Sequence, residues 1–167
     1  LRSGGAYRVQ SSSLAMLVMA GPSAAGAWCA VVGVPQFGIE AARGFGVGID
    51  RLVFVPEVPA GEILTVLAAL IDVVDVIVAA PFAITPKESA RLTARMREKH
   101  CVMVTWGSWP QVDAQIGWSQ IHWDGMGRGH GNLRARQVTL EVRKGDRLTG
   151  TRRLWFPDEE MNVRLVE

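Results

Sequence analysis

Val74-Asp-Val-Ile-Val-Ala-Ala80 and, upstream of it, Trp28-Cys-Ala-Val-Val-Gly-Val34 decide the fold. Both are short, β-prone and apolar at nearly every position. A strand wet on one face alternates apolar and polar residues. A run that does not alternate needs cover on both faces, as a parallel strand between helical layers has. Residues 52–55 and 101–106 read as two more strands of this kind. Between them lie helical signals: residues 38–44, closed by Gly44 or Gly46; residues 60–71, with Ile63, Leu67 and Leu70 at helical spacing; and residues 86–99, amphipathic with Lys87, Arg91, Arg95, Arg97 and Lys99. Strands and helices in alternation predict a mostly parallel sheet with helices on both faces.

Residues 6–10 form a strand candidate that runs into Ser11-Ser12-Ser13 and the apolar stretch 14–20. A serine hydroxyl accepts the free N–H groups of a first helical turn, so this stretch reads as a helix. It ends near Gly21-Pro22 or continues with a kink to about Gly26. Beyond Trp109 the pattern changes. Residues 116–123, 134–143 and 151–156 alternate apolar and polar, with turn signals at 124–132 and 144–150, which predicts an antiparallel extension wet on one face. With no internal repeat or low-complexity linker, residues 1–167 read as a single domain, 1–109 its parallel part and 110–167 its extension.

No apolar run approaches the roughly 20 residues of a membrane span, and none is expected. Leu1 rather than Met opens the sequence and no signal-type stretch follows, so the chain reads as a fragment lacking an N-terminal segment. Cys29 and Cys101 lie in apolar stretches without metal-type spacing and read as reduced core thiols of a cytoplasmic protein. Net charge is +2, unevenly spread. Between Arg128 and Arg153 eight cations stand against Glu141 and Asp146, a net +6 that leaves −4 for the remainder. Such asymmetry points to a polyanion or acidic partner, or to a strand with arginines on its wet face.

Gly46-Val-Gly-Ile-Asp-Arg-Leu-Val-Phe54, Val74–Ala80 and Ala83-Ile-Thr-Pro-Lys87 resemble, in this order, the core of the bacterial RecA recombinases. The resemblance covers about residues 11–106 and implies a RecA-like three-layer α/β core. Among RecA-like proteins the chain is most similar to the ImuA′ family of actinobacterial mutagenesis accessory proteins. There the runs 14–26 and 27–35 and the Arg-rich tail through Trp155-Phe-Pro-Asp158 carry the likeness. RecA-like nucleotide binding uses a glycine-rich loop ending in Lys and Ser/Thr, whose N–H groups cradle phosphate while the hydroxyl holds Mg²⁺. In the preferred register Ser11, Ser12 and Ser13 stand at the Lys-Thr-Thr positions and the glycine loop is shortened away. In the other register Gly21–Ala27 mimics the loop, with Ala27 for Lys and Trp28 for Ser/Thr. Neither keeps the lysine. The glutamate that orients the attacking water falls on Pro35, and the magnesium-holding aspartate on Ala80. Phosphoryl transfer depends on little besides positioning and charge neutralisation, so the resemblance implies a pseudo-ATPase with no cofactor and no catalytic residue. Asp75 and Glu40 are the nearby acids, and Asp75 reads as a capping or pairing residue at a strand start.

What the ImuA′ resemblance implies is an accessory role in DNA-damage-induced (SOS) translesion synthesis. The implied partner is ImuB, an inactive Y-family polymerase relative, and through it a DnaE-type polymerase. Arg134, Arg136, Arg143, Lys144, Arg152, Arg153 and Trp155 are the expected partner or DNA contacts. Arginine beside tryptophan suits protein hot spots and also single-stranded nucleic acid, so DNA or RecA binding stays as an alternative, and a residual ATPase as another. Trp106, Trp109, Trp118 and Trp123 surround the same strands, or fill the core edge of the sheet. Residues 125–131, with Met126, Arg128 and His130 between glycines, occupy the place of RecA-like DNA-binding loops. His100, His122 and His130 form no metal motif, and no nucleophile elbow is present.

Overall fold

The computed structural model describes residues 1–105, 107, 109–125, 134–160 and 162–166. Two compact units make up the chain, Leu1–Ala114 and Gln115–Glu167.

The first unit carries β1 (Ala6–Val9), α1 (Ser12–Ala24), β2 (Cys29–Val32), α2 (Ile39–Gly44), β3 (Leu52–Val55), α3 (Ile63–Ile71), β4 (Val76–Ala79), α4 (Pro86–Lys99) and β5 (Val102–Thr105). The strands lie in the order β3-β2-β4-β5-β1, and every pairing is parallel. All four residues of β2, of β4 and of β5 are buried, as their lack of alternation predicts. Ala30 and Val32, Ile77 and Ala79, and Met103 pack with Leu67 and Ile71 of α3 and Leu92 and Met96 of α4. Their neighbours Cys29, Val31, Val76, Val78 and Val104 point to the other face and are buried too, on the side of α1, which touches β1 and β4. The fold is therefore a three-layer α/β arrangement. Each fully buried branched side chain contributes about 1.5–3 kcal/mol.

Local signals set the helix ends. At α4 the Thr85 hydroxyl accepts the Glu88 N–H while the Glu88 carboxylate accepts the Thr85 N–H at 2.8 Å, with Pro86 in the first turn. The Thr85 hydroxyl also donates to that carboxylate, and its hydrogen bonds hold Glu88 below the usual glutamate range. Helix α4 is tied to the end of α3 by Arg95, whose Nε donates to Asp72 Oδ1 at 2.9 Å and whose Nη2 pairs with Oδ2. Pro22 is accommodated near the end of α1, which runs to Ala24. One difference concerns Trp28. The expected strand 28–34 narrows to Cys29–Val32, and Trp28 stands just before it, 47% exposed. Its N–H donates to the Asp75 carboxylate at 2.8 Å, which gives Asp75 the pairing role expected of it.

The second unit continues β6 (Ala114–Asp124) with β7 (Ala135–Lys144), β8 (Arg147–Trp155) and β9 (Arg164–Leu165), all antiparallel. The β7–β8 hairpin turns at Gly145-Asp146, where Gly145 adopts a φ of 58°. The turn is tighter than the 144–150 read from the sequence. Gly150 lies inside β8 opposite Val142, where the register shifts by a bulge. A glycine that reads as a turn signal here relieves a strand irregularity. Among the described residues no helix is long and apolar enough to cross a membrane.

Candidate functional site

Strand β1 ends at Val9 and α1 starts at Ser12, so only Gln10 and Ser11 join them. Ser11 is extended (φ −156°, ψ 162°) and caps the helix, its Oγ accepting the Leu14 N–H at 3.3 Å. A phosphate-binding loop needs several residues between strand and helix, so that successive N–H groups converge on an anion. Here the connection is too short to form that cradle, and a serine hydroxyl holds one of the amides it would use. Ser12 is the first helical residue. The alternative register fails on geometry, because Gly21–Ala24 lie within α1 and residues 25–28 connect α1 to β2.

Pro35 and Ala80 are brought to the same end of the sheet. Val32 and Ala79 are register partners, and the Ala80 N–H donates to the Val32 carbonyl at 3.0 Å. Both line a cleft of about 480 Å³ with Gly33, Pro56, Pro59 and Phe82, where Glu57 is the one ionisable side chain among the described residues. Gly33, one of the lining residues, has a φ of 71°. The cleft is proline-walled, and among the described residues of its lining there is no cation to meet a phosphate. Glu40, the other acid considered, lies in the first turn of α2. Among the described residues no three His, Cys, Asp or Glu side chains come together in a metal-holding group.

The Arg- and Trp-bearing strands separate residues that look alike in sequence. Arg136 is enclosed: its guanidinium lies 5.2 Å from the Trp118 ring, 5.1 Å from Trp123 and 5.1 Å from Phe156. Burial pushes its pKa down, though not far enough to discharge an arginine. Arg143 pairs with Glu141 at 3.0 Å, and the Ser119 hydroxyl followed by Arg143 holds Glu141 below the usual glutamate range. Arg134, Lys144, Arg152 and Arg153 are exposed and make no ion pair with a described carboxylate. Trp155 is half-buried, with Arg164 6.0 Å from its ring. Trp109 is core, at 2% exposure and edge-on to Phe82. Trp123 is 45% exposed beside Ile121 at 50%. Trp106 and residues 126–133, including Met126, Arg128 and His130, lie outside the described residues. Arg147 belongs with the exposed cations at the hairpin tip, and Arg164 stacks over Trp155. The first was legible in the charge run; nothing local marks the second.

A sequence profile described as the MT3502 N-terminal domain matches residues 1–111. The chain belongs to this family. A relative of the MT3502 domain, "Uncharacterized protein Rv3395c" of Mycobacterium tuberculosis, is 34% identical over 107 residues, 62% of this chain. The matched stretch spans 52%, about half, of that protein's length. Among solved structures, the flagellar accessory protein FlaH from Methanocaldococcus jannaschii superposes with a TM-score of 0.59 at 11% identity, over 99% of this chain and 92% of FlaH. At that identity the likeness concerns fold alone, and the MT3502 domain has a RecA-like fold.

Proposed function

We propose that this MT3502 domain is a non-catalytic accessory protein of DNA-damage-induced mutagenesis, an ImuA′-type partner of ImuB that helps organise translesion synthesis with a DnaE-type polymerase. The observation that carries the reading is the two-residue connection from β1 to α1, capped by Ser11. A RecA-like fold whose phosphate loop is closed in this way, with Pro35 and Ala80 at the catalytic-acid and metal-ligand positions, has its positioning machinery for phosphoryl transfer removed at three separate points. A binding role fits what remains, and the exposed Arg152 and Arg153 beside Trp155 are the proposed contact with ImuB.

Two measurements test it together. Calorimetric titration with Mg-ATP is expected to give no heat and no thermal shift; micromolar binding would restore the ATPase reading. Co-purification with ImuB is expected, and reversing Arg152 and Arg153 to Glu should weaken it while the fold is kept. Unchanged capture of ImuB by that double variant removes these arginines from the interface. The exposed cations also favour a second reading, direct contact with single-stranded DNA. That binding would fall steeply with salt, and its absence at low salt eliminates it.

A further inference from the structure

Register divides the basic residues of the C-terminal strands between two faces. Trp118 of β6 lies opposite Leu140 of β7, and Leu140 lies opposite Arg152 of β8. One position along, Ser119 lies opposite Thr139, and Thr139 opposite Arg153. Residues directly opposite one another in antiparallel strands share a face, and neighbours in sequence take opposite faces. Arg152 and Arg153, adjacent and both exposed, therefore point to opposite sides of the sheet.

The two sides differ in chemistry. Strands β6, β7 and β8 contain two acids, Asp124 and Glu141, and both fall on the side of Arg153. There Glu141 lies opposite Thr151, diagonally across from Arg153, and is engaged by the Ser119 hydroxyl at 2.7 Å and by Arg143 at 3.0 Å. The side of Arg152 receives no acid from these strands. It carries Trp118, Leu140 and Val142, each partly exposed, and Arg136 opposite Trp123. Arg152 Nη1 donates to the Thr151 carbonyl at 2.8 Å, and among the described residues Arg152 pairs with no carboxylate. A strand laid beside β8 lies in the plane of the sheet and leaves the ground over β6 and β7 uncovered. An aromatic and aliphatic surface with two cations and no acid of its own matches a partner whose apolar side chains are flanked by Asp or Glu. A second copy would set arginine against arginine. Nucleic acid is matched less well, since Leu140 and Val142 offer neither stacking nor a phosphate contact.

We infer that the Trp118–Leu140–Arg152 side of the β6–β8 sheet docks a segment of a partner protein that presents acidic residues beside leucine or phenylalanine. This rests on the reading of the C-terminal strands as a partner-binding face, and narrows it to one of their two sides. Arg152 carries the contact, with Leu140 and Val142 as its apolar ground, and Arg153 does not take part.

The test uses this chain and a fluorescein-labelled amphipathic peptide of Leu and Glu, with a Leu/Lys peptide as its counterpart, read by anisotropy. The Leu/Glu peptide is expected to bind and the Leu/Lys peptide not. Arg152→Glu and Arg153→Glu change the net charge equally, so general attraction to a basic hairpin predicts equal losses. Docking on one side predicts a loss of about tenfold for Arg152→Glu and of less than about twofold for Arg153→Glu. Leu140→Ala should weaken binding, and its neighbour Thr139→Ala should not. Circular dichroism checks that each variant keeps the fold. Should Arg152→Glu or Leu140→Ala not fold, NMR on the unaltered chain decides: the peptide should shift the methyl signals of Leu140 and Val142 and leave those of Thr139 and Thr151 in place. Equal losses in the two arginine variants, equal binding of both peptides, no binding of the Leu/Glu peptide, or shifts centred on the threonines each overturn the inference. So does an oligothymidylate that displaces the peptide and is lost with Arg152→Glu, which would assign this side to nucleic acid. A dimer that Arg152→Glu abolishes would assign it to a second copy and overturn the inference as well. ImuB separates the two claims. If Arg153→Glu loses ImuB and Arg152→Glu keeps it, docking on the Arg152 side fails and the proposed function stands. If the peptide behaves as expected and the unaltered chain does not capture ImuB, the docking side stands and ImuB is not its occupant.

Discussion

Arg136 and Phe156 hold each other three ways. Arg136 Nε donates to the Phe156 carbonyl at 2.7 Å, the Phe156 N–H donates to the Arg136 carbonyl at 2.6 Å, and the guanidinium lies 5.1 Å from the Phe156 ring centroid. The same guanidinium lies 5.2 Å from the Trp118 ring and 5.1 Å from the Trp123 ring, and the Trp118 and Phe156 rings themselves lie 5.1 Å apart. An arginine expected to meet a polyanion is therefore committed to the packing of its own unit.

Arg136→Lys is expected to destabilise the protein by about 1–2 kcal/mol, since an ammonium has neither the planar stacking surface nor the Nε donor. Arg134→Lys, at an exposed position, should be neutral. Chemical denaturation of both variants checks this; equal stability of the two would remove the structural role of Arg136.

Asp158, 4% exposed, accepts the N–H groups of Asn162 and Glu160 at 2.9 Å each and Arg164 Nε at 2.6 Å. These bonds, the Asn162 N–H foremost, hold its carboxyl below the usual aspartate range. Its native pKa is thus below its unfolded one. The stabilisation is complete above the ordinary aspartate value and is lost as pH falls through the native value. In an NMR titration the Glu160 and Asn162 amides should shift together, with a midpoint below that of a free aspartate peptide. A midpoint at the peptide value would sink this account.

Burial pushes the Cys29 thiol up to about 11 and the Cys101 thiol up to about 12, with the Asp75 carboxylate adding to both. Both side chains are fully buried and unpaired with each other. At mildly alkaline pH neither should react with a disulfide reagent in the native state, because the thiolate is the nucleophile. Both should react at once in denaturant. Rapid labelling of the native protein would show that the strand ends open.

Ile77 and Val73 lie four residues apart in the stretch Val73-Val-Asp-Val-Ile77, yet Ile77 is fully buried and Val73 is 69% exposed. Ile77→Ala should cost about 2–5 kcal/mol through lost burial and the cavity left behind. Val73→Ala should change stability by less than about 0.5 kcal/mol. Urea titration of the two variants distinguishes them, and similar losses would contradict the strand placement.

Much of the first unit is legible in the residues because its signals are local. Helix α4 falls on 86–99 as read, since Thr85, Pro86 and Glu88 specify its start within four positions. The parallel strands were recognisable from their apolar runs: Leu52–Val55 falls as read, while the expected 28–34 and 74–80 narrow to Cys29–Val32 and Val76–Ala79. Apolar character continues past the point where pairing stops, as Trp28 shows. Strand β9 was not foreseen, because two residues, Arg164 and Leu165, carry no periodicity. Gly150 was read as a turn for a similar reason: a glycine marks a departure from regular backbone without saying which one.

By itself the sequence determined the alternation of strands and helices, the absence of a lysine at either possible phosphate-loop register, and the concentration of positive charge after residue 127. Each of these is a property of neighbouring residues or of composition. Only the tertiary structure decided that Ser11, and not the Gly21–Trp28 stretch, stands where the phosphate loop would be, and that Arg136 packs among aromatic rings while Arg152 and Arg153 face solvent. Those outcomes depend on strand register, which sets Trp123 opposite Arg136 and Arg152 opposite Leu140. Register is fixed by the packing of a whole face rather than by any short stretch.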